Sequence, residues 1–293
     1  MQSPPSREAR PFLKWAGGKT QLLPVLQGIV PSTAGTYHEP FIGGGAAFFS
    51  LAGRHRFCRA AINDSNPELT NLYCVIRDQP DALIGALDAV LLDPTWNTQE
   101  HFLRVRAEEP ADAVTRAARM VYLNKTAFNG LHRVNRAGKF NVPFGRYKNP
   151  RLYDLANLRA CHHALQGVRI GTGDFADALA EVSIGDVVYL DPPYLPISST
   201  SSFTSYAGIF GQAEHERLAA LFRSLVARGI YCVLSNSSSP LTRELYKGFD
   251  IQTVQARRAV NADATKRGKI NELLVIGEPQ GWHPPKLTSQ FEG

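Results

Sequence analysis

The sequence is poor in the features that mark several broad classes of protein. Its four cysteines, Cys58, Cys74, Cys161 and Cys232, are scattered and form no CxxC pair. This spacing argues against a disulfide framework or a metal centre and favours a reducing compartment. No apolar run approaches the ~18 residues of a membrane helix, and the N-terminal MQSPPSREAR lacks the apolar centre of a signal peptide. We therefore expect a cytoplasmic protein with no membrane association and no bound metal.

Acidic residues are missing from the long stretch between Asp112 and Asp154. The 293-residue chain has a formal charge of +6, and in this stretch the basic residues are interleaved with aromatic ones. A solvated basic face is one explanation. Contact with nucleic acid fits better, because no acids compensate the charge and Gly, Asn and Pro turns lie within it. We interpret residues 124–148 as a loop or hairpin that presents Arg133 at its tip.

The remaining pattern is typical of a globular α/β protein, with 44% hydrophobic and 20% charged residues. A helical pattern at 213–228 alternates with short apolar runs at 187–190, 230–234 and 273–276. This alternation predicts a mostly parallel sheet with helices on both faces. Residues 67–153 are instead helix-rich and lack a convincing buried strand.

We therefore predict a discontinuous α/β domain with a helical domain inserted in it. The predicted bounds are 8–66 and 154–280 for the α/β domain, 67–153 for the insert, and 1–7 and 281–293 for loose termini.

The segment FLKWAGGKT, which begins at Phe12, ends like a phosphate-binding loop. That loop requires a first glycine at the position that Leu13 occupies here, and a buried strand before it. Neither requirement is met, so a nucleoside triphosphatase is disfavoured.

A second glycine-rich segment, EPFIGGG, begins at Glu39. Glycines let the backbone turn tightly and let a ligand approach the main chain. Asp64 follows about 20 residues later, where the next strand of a nucleotide-binding fold offers a carboxylate to ribose hydroxyls. These features favour an adenosine-containing cofactor. A glycine turn followed by an unrelated acidic helix cap stays open as the alternative.

The apolar run VVYL at 187–190 leads directly into Asp191, Pro192, Pro193 and Tyr194. Proline cannot donate a ladder hydrogen bond, so the strand ends there and the four residues lie at the carboxyl edge of the sheet, where open α/β folds keep their active sites. A carboxylate and a fixed backbone carbonyl can accept the two N–H bonds of an adenine amine and direct its lone pair at an electrophilic methyl group. The Tyr194 ring can stack on the base, which is worth ~1–3 kcal/mol.

The order of FLKWAGGK, EPFIGGG, a basic insert and DPPY resembles the Dam-type DNA adenine-N6 methyltransferases, the D12 class, alpha group. The resemblance runs from Phe12 to about Gly277 and includes FNVPFGRYK and INELLV. It implies a class I S-adenosylmethionine-dependent methyltransferase (Rossmann-like) sheet with its last strand antiparallel. The insert is then a helical target-recognition domain with a β-hairpin loop.

The same resemblance implies transfer of a methyl group from S-adenosyl-L-methionine to the N6 amine of a flipped-out adenine in double-stranded DNA, within GATC. A cognate restriction endonuclease is a functional partner that such an enzyme can have, in a bacterial cell or a phage. One copy of the chain is sufficient, so we expect a monomer.

Site residues follow from the resemblance position by position. The implied catalytic residues are Asp191, Pro192, Pro193 and Tyr194. The implied cofactor-binding residues are Trp15, Lys19, Glu39, Pro40, Phe41, Gly43, Asp64, Asp174, Phe175 and Asp191. The implied DNA-binding residues are Lys14, Phe128, Asn129, Leu131, Arg133, Asn141, Pro143, Arg146, Tyr147 and Lys148.

The sequence departs from the family at Phe128, where tyrosine is common, and within HRVNRAGK, which affects the preference for flanking sequence. Three alternatives stay open. Methylation of cytosine N4 is disfavoured because those enzymes more often have serine in place of Asp191. Methylation of RNA adenine is disfavoured by the duplex-reading hairpin. A DNA-binding regulator without catalysis is disfavoured by the intact DPPY segment.

Overall fold

A computed structural model describes residues 8–15, 17, 21–194, 210–257 and 269–283. Within these residues the chain forms seven strands and ten helices. The strands are β1 (Thr33–Glu39), β2 (Phe57–Asp64), β3 (Arg169–Thr172), β4 (Val187–Leu190), β5 (Tyr231–Ser237), β6 (Asp250–Arg257) and β7 (Lys269–Gly277). The helices are α1 (Leu23–Ile29), α2 (Ala46–Ala52), α3 (Pro67–Asp78), α4 (Pro80–Leu92), α5 (Gln99–Ala107), α6 (Ala113–Thr126), α7 (Leu155–Ala164), α8 (Phe175–Ala178), α9 (Gln212–Ala227) and α10 (Pro240–Leu245).

The strands form one sheet in the order β3-β2-β1-β4-β5-β7-β6. β1 runs parallel to β2 and β4, and β4 runs parallel to β5. β7 is antiparallel to both of its neighbours, β5 and β6. The predicted α/β fold with an antiparallel last strand is confirmed, and it is the arrangement of a class I methyltransferase sheet.

Burial explains why the central strands could be recognised from apolar runs alone. Every residue of β4 and β5 is buried, as expected for strands of a parallel sheet that is covered on both faces. The apolar face of α9, with Leu218, Phe222 and Leu225, belongs to the same core cluster as Val188 and Leu190 of β4. The sheet edge at Asp191 therefore rests on a tightly packed core.

Residues 67–153 contain the helices α3 to α6 and, as predicted, no strand. Their helix starts follow ordinary capping chemistry, because the side chains of Asn66, Thr98 and Asp112 each accept a backbone hydrogen bond from the first turn. Among the described residues, no helix is long and apolar enough to cross a membrane.

The chain divides into two compact units. Of the described residues, the first unit contains those up to 17 together with 42–54 and 63–173, and the second contains 21–41, 55–62 and all those from 174 onward. These bounds differ from those of the predicted domains, since the first unit also takes in α2, α7 and β3. The functional division into a catalytic and a recognition domain stays a prediction.

The basic loop, which we define as residues 127–148, has antiparallel pairing, but its tip differs from the one predicted from the sequence. It begins with a short 3-10 turn, Phe128–Gly130, and is closed by two isolated bridges, Ala127 with Phe144 and Val134 with Phe140. Its tip is the turn at 135–139, where the Asn135 side chain accepts hydrogen bonds from the backbone N–H groups of Ala137 and Lys139. The prediction that Arg133 lies at the tip is therefore wrong.

Candidate active site

In the second unit, Asp191 follows β4 and is held by a side chain of the next strand. Ser235 of β5 donates a hydrogen bond from Oγ to Oδ1 of Asp191 at 2.7 Å. The Tyr189 hydroxyl lies 3.0 Å from the same Oγ. Because a serine hydroxyl has one proton and Ser235 donates it to Asp191, the Tyr189 hydroxyl is the donor in its hydrogen bond with Ser235. Two hydroxyls in series thus fix the orientation of the carboxylate.

Tyr194 is held in a similar way by the antiparallel strand. Its hydroxyl donates to Oε2 of Glu272 in β7 at 3.1 Å. Burial raises the pKa of Tyr194 well above its usual value, with Asp191 and Glu272 adding to the effect. The phenol is therefore neutral at physiological pH and acts as a donor.

At the end of β1, Glu39 is buried and accepts a hydrogen bond from the Tyr37 hydroxyl at 2.6 Å. Burial, and then the Glu39 charge, raise the pKa of Tyr37 well above its usual value. Pro40 and Phe41 continue from this point, and the Phe41 ring packs on Phe175 with a centroid distance of 5.3 Å.

Asp174 and Phe175 share one basic neighbour, Arg217 of α9. The guanidinium donates to both carboxylate oxygens of Asp174, at 3.0 and 2.5 Å, and this pairing lowers the pKa of Asp174. The same guanidinium lies 4.2 Å from the centre of the Phe175 ring. Phe41, Asp174 and Phe175, three of the predicted cofactor residues, are thus brought together on one side of the second unit's core.

The remaining described cofactor residues lie in the first unit and contact one another. Gly43 has a φ of +47°, and its N–H donates to Oδ2 of Asp64 at 3.0 Å. Asp64 ends β2, and burial raises its pKa although backbone N–H groups partly offset the effect. A side chain at position 43 would bring its Cβ within 3.0 Å of Cδ1 of Trp15. Lys19 lies outside the described residues.

The predicted DNA-binding residues cluster on the basic loop and beside it. Arg133 donates from Nε to Oδ1 of Asn141 at 2.7 Å. The Lys14 ammonium lies 4.8 Å above the ring of Tyr147. The exposed members of the set are Lys14, Phe128, Asn129, Arg133, Pro143, Arg146 and Lys148, and the half-buried ones are Leu131, Asn141 and Tyr147.

Several residues that support these groups were not identified from the sequence. Ser235, Glu272 and Arg217 each contact a predicted site residue through its side chain. Ser235 could have been found from strand register. Leu190 of β4 pairs with Leu234 of β5, so the residues that follow them, Asp191 and Ser235, are neighbours. Glu272 and Arg217 carry no comparable signal, because their positions depend on tertiary packing. No group of three or more His, Cys, Asp or Glu in the described part of the chain could hold a metal.

Comparison with known proteins identifies the family. The model of the D12 class N6 adenine-specific DNA methyltransferases matches residues 15–260. The chain is 44% identical over 275 residues to Type II methyltransferase M1.LlaDCHI of Lactococcus lactis subsp. cremoris, covering 91% of this chain and 94% of the relative. It is 41% identical over 286 residues to Type II methyltransferase M.MjaIII of Methanocaldococcus jannaschii, covering 92% and 99%. It is 35% identical over 283 residues to the DNA adenine methylase of Escherichia coli strain K12, covering 96% and 99%. With a family match over most of the chain and relatives aligned along nearly their whole length, the protein belongs to the D12 class of N6 adenine-specific DNA methyltransferases.

Proposed function

We propose that the protein transfers a methyl group from S-adenosyl-L-methionine to the N6 amine of an adenine in double-stranded GATC. The observation that carries the proposal is the carboxylate of Asp191, oriented by Ser235 at 2.7 Å and followed by Pro192, Pro193 and Tyr194. The family favours adenine N6 over cytosine N4 and DNA over RNA. It also favours an enzyme over a regulator without catalysis.

Asp191 and Pro192 act on the target amine. The lone pair of the amine is conjugated into the adenine ring, which makes the nitrogen a poor nucleophile. Asp191 accepts one N–H hydrogen bond and the Pro192 carbonyl accepts the other, which favours a tetrahedral nitrogen as positive charge develops. Because Asp191 is held by the Tyr189–Ser235 pair, the carboxylate does not have to reorient when the base arrives.

Tyr194 holds the extruded base. Its ring offers a stacking face, and its hydroxyl is tied to Glu272 at 3.1 Å, so the ring orientation is set before the base enters. Stacking on an aromatic ring is worth ~1–3 kcal/mol and helps to offset the cost of extruding the base from the duplex.

The predicted cofactor residues have a chemistry that fits S-adenosyl-L-methionine, which when bound supplies an electrophilic methyl group. Asp64 is a buried carboxylate that already accepts two backbone N–H bonds and has further lone pairs for ribose hydroxyls. The paired rings of Phe41 and Phe175 offer an apolar surface for adenine. Lys19, Glu39, Pro40, Gly43, Trp15 and Asp174 complete the proposed set.

For the DNA we propose that Arg133 reads guanine in GATC through its fork of donors, which can bond O6 and N7 together. Asn129, Leu131, Asn141 and Pro143 are the other proposed base contacts, and Phe128, 51% exposed, is the proposed wedge. Lys14, Arg146, Tyr147 and Lys148 are proposed to contact the backbone. Two relatives are named Type II methyltransferases, which supports a cognate restriction endonuclease as functional partner.

Transfer of labelled methyl groups from S-adenosyl-L-methionine to a panel of short duplexes tests the proposal. The panel contains GATC, its single-base variants, a duplex without GATC and an RNA duplex, and the modified base is mapped. We expect N6-methyladenine in GATC alone. Methylation of adenine in other sequences would overturn the proposed target, and the absence of any transfer from S-adenosyl-L-methionine would overturn the proposed donor.

A further inference from the structure

Asn124, at the end of α6, joins the FLKW segment (Phe12–Trp15) to the basic loop. Its side chain accepts from the Lys14 N–H at 2.9 Å and donates to the Lys14 carbonyl at 2.7 Å and the Gly130 carbonyl at 3.0 Å. Asn124 is only 2% exposed, so these bonds are shielded from water. One buried side chain thus fixes two chain segments that are far apart in sequence.

Gly130 lets the basic loop approach the Lys14 side chain closely. Its φ is +64°, and a Cβ at this position would lie 2.6 Å from Cδ and 2.7 Å from Cβ of Lys14. Both the backbone conformation and the space require glycine. The start of the basic loop therefore packs directly on the FLKW segment.

Next along the loop, His132 stacks on Trp15. The two rings lie 5.4 Å apart at an interplanar angle of 29°, and the imidazole also contacts the Phe140 ring at 5.6 Å. Burial lowers the pKa of His132 to about 4, so the stack is between neutral rings at physiological pH. His132 is flanked in sequence by Leu131 and Arg133, two proposed base contacts.

Trp15 also lies against the glycine turn. A Cβ on Gly43 or on Gly44 would lie 3.0 Å from Trp15, from Cδ1 in the first case and from Cβ in the second. The N–H of Gly43 is bonded to Asp64, the proposed ribose ligand. The indole therefore touches the glycine turn of the proposed cofactor site and also the imidazole of the basic loop.

We propose that the stack of His132 on Trp15 couples occupancy of the cofactor site to the position of the basic loop, with His132 as the positioning residue. The inference rests on the proposed function, which assigns Trp15 to the cofactor and the loop to DNA. A bound cofactor fixes the indole, the indole fixes His132, and the loop then holds Arg133 and Leu131 ready for the bases. Coupling between two binding sites is reciprocal, so DNA tightens cofactor binding by the same factor.

The test measures the affinity for a GATC duplex with and without saturating S-adenosylhomocysteine, which cannot donate a methyl group. The variants are His132→Ala, His132→Gln and His132→Phe, and His163→Ala is the control, since His163 is exposed and its ring contacts His162. In the wild type we expect the cofactor product to tighten DNA binding about fivefold or more. His132→Ala and His132→Gln should bring the ratio of the two affinities close to one. His132→Phe retains an aromatic face and should keep most of the coupling.

A residue that only fills space would change the stability of the protein, or would change the DNA affinity by the same factor with and without S-adenosylhomocysteine. In either case the ratio of the two DNA affinities would stay unchanged. Full coupling in His132→Ala and His132→Gln, or no coupling in the wild type, would therefore overturn the inference. Circular dichroism identifies any variant that fails to fold. If His132→Ala does not fold, His132→Gln alone tests the loss of coupling. Failure of the wild type to bind S-adenosylhomocysteine or GATC at all would overturn the proposed function itself, and the two results are distinguishable.

Discussion

At the scale of single residues, hydroxyl groups hold three carboxylates in and beside the proposed active site. Asp191 is bonded to Ser235, Glu39 to Tyr37, and Glu272 to Tyr194. A carboxylate with a fixed donor on one oxygen presents the other in a defined direction, and preorganised groups of this kind need no rearrangement as charge develops.

Asp191 and Ser235 should therefore give graded losses of activity. We expect Asp191→Ala to lower the rate of methyl transfer about a thousandfold or more, and Ser235→Ala about tenfold, with the loss in kcat and not in KM for DNA. Single-turnover transfer and DNA affinity are the measurements, and Ser224→Ala, an exposed serine of α9, is the control. Retained turnover in Asp191→Ala would rule out its proposed role.

Lys125 provides a residue-scale prediction about stability. Burial, and then the charge of Lys14, lower its pKa to about 8 from 10.5. The half-buried ammonium therefore costs stability at every pH below about 8. The cost disappears as pH rises toward 10.5, because above that value the lysine is neutral in both states. We expect Lys125→Met to increase the free energy of unfolding by about 1–2 kcal/mol at pH 7.

Urea denaturation from pH 7 to pH 10 measures this effect. The difference in free energy of unfolding between Lys125→Met and the wild type should become smaller as pH rises above 8. The corresponding difference for Lys247→Met, at an exposed lysine, should show no such trend. A gap that stays constant over this range would mean that packing, and not charge, sets the difference.

At the scale of elements, the sequence predicts what local chemistry determines. β4 has the predicted bounds, because a short apolar run is cut off by two prolines, and α9 lies within one residue of its prediction. The basic loop was predicted less well. Its turn is set by the Asn135 side chain, which accepts two backbone N–H bonds and moves the tip beyond Arg133. Such side-chain closure is hard to foresee, since many asparagines in loops make no such bond.

The position of Arg133 leads to an element-scale prediction. It lies before the tip and bonds Asn141, so its guanidinium is already oriented. We expect Arg133→Ala to relax discrimination at one base pair of the site by ~1–3 kcal/mol, and Arg133→Lys not to restore it, since an ammonium lacks the bidentate fork.

Relative kcat/KM on GATC and its single-base variants measures this discrimination. Arg136→Ala, at the exposed tip, is the matched control and should leave the preference for GATC over its single-base variants unchanged. Equally weaker activity on all sequences in Arg133→Ala would mean that the arginine contacts phosphate.

At the scale of the whole molecule, the charge available to DNA is smaller than the acid-free stretch suggests. Arg116 pairs with Glu68 at 2.5 Å, Lys139 pairs with Glu109 at 2.9 Å, and the Arg119 guanidinium donates to the carbonyls of Val105 and Arg106. A charge count along the sequence cannot reveal these pairings, because the partners come from other helices and loops. Arg146 and Lys148 are exposed, and within the described residues neither forms an ion pair with an acidic side chain.

The salt dependence of DNA binding distinguishes the basic residues that contact phosphate from those that are paired within the protein. Each protein–phosphate contact releases counterions, so the logarithm of DNA affinity falls linearly with the logarithm of salt concentration, by about 0.9 in slope per contact. We expect Lys148→Ala to reduce the magnitude of the slope by about 0.9 without changing sequence preference. Lys139→Ala should change the slope less, because Lys139 pairs with Glu109 at 2.9 Å and is not one of the proposed phosphate contacts. Lys247→Ala, in the second unit, should leave the slope unchanged. An equal reduction in all three variants would mean that overall positive charge, and not a set of phosphate contacts in the basic loop, attracts the DNA.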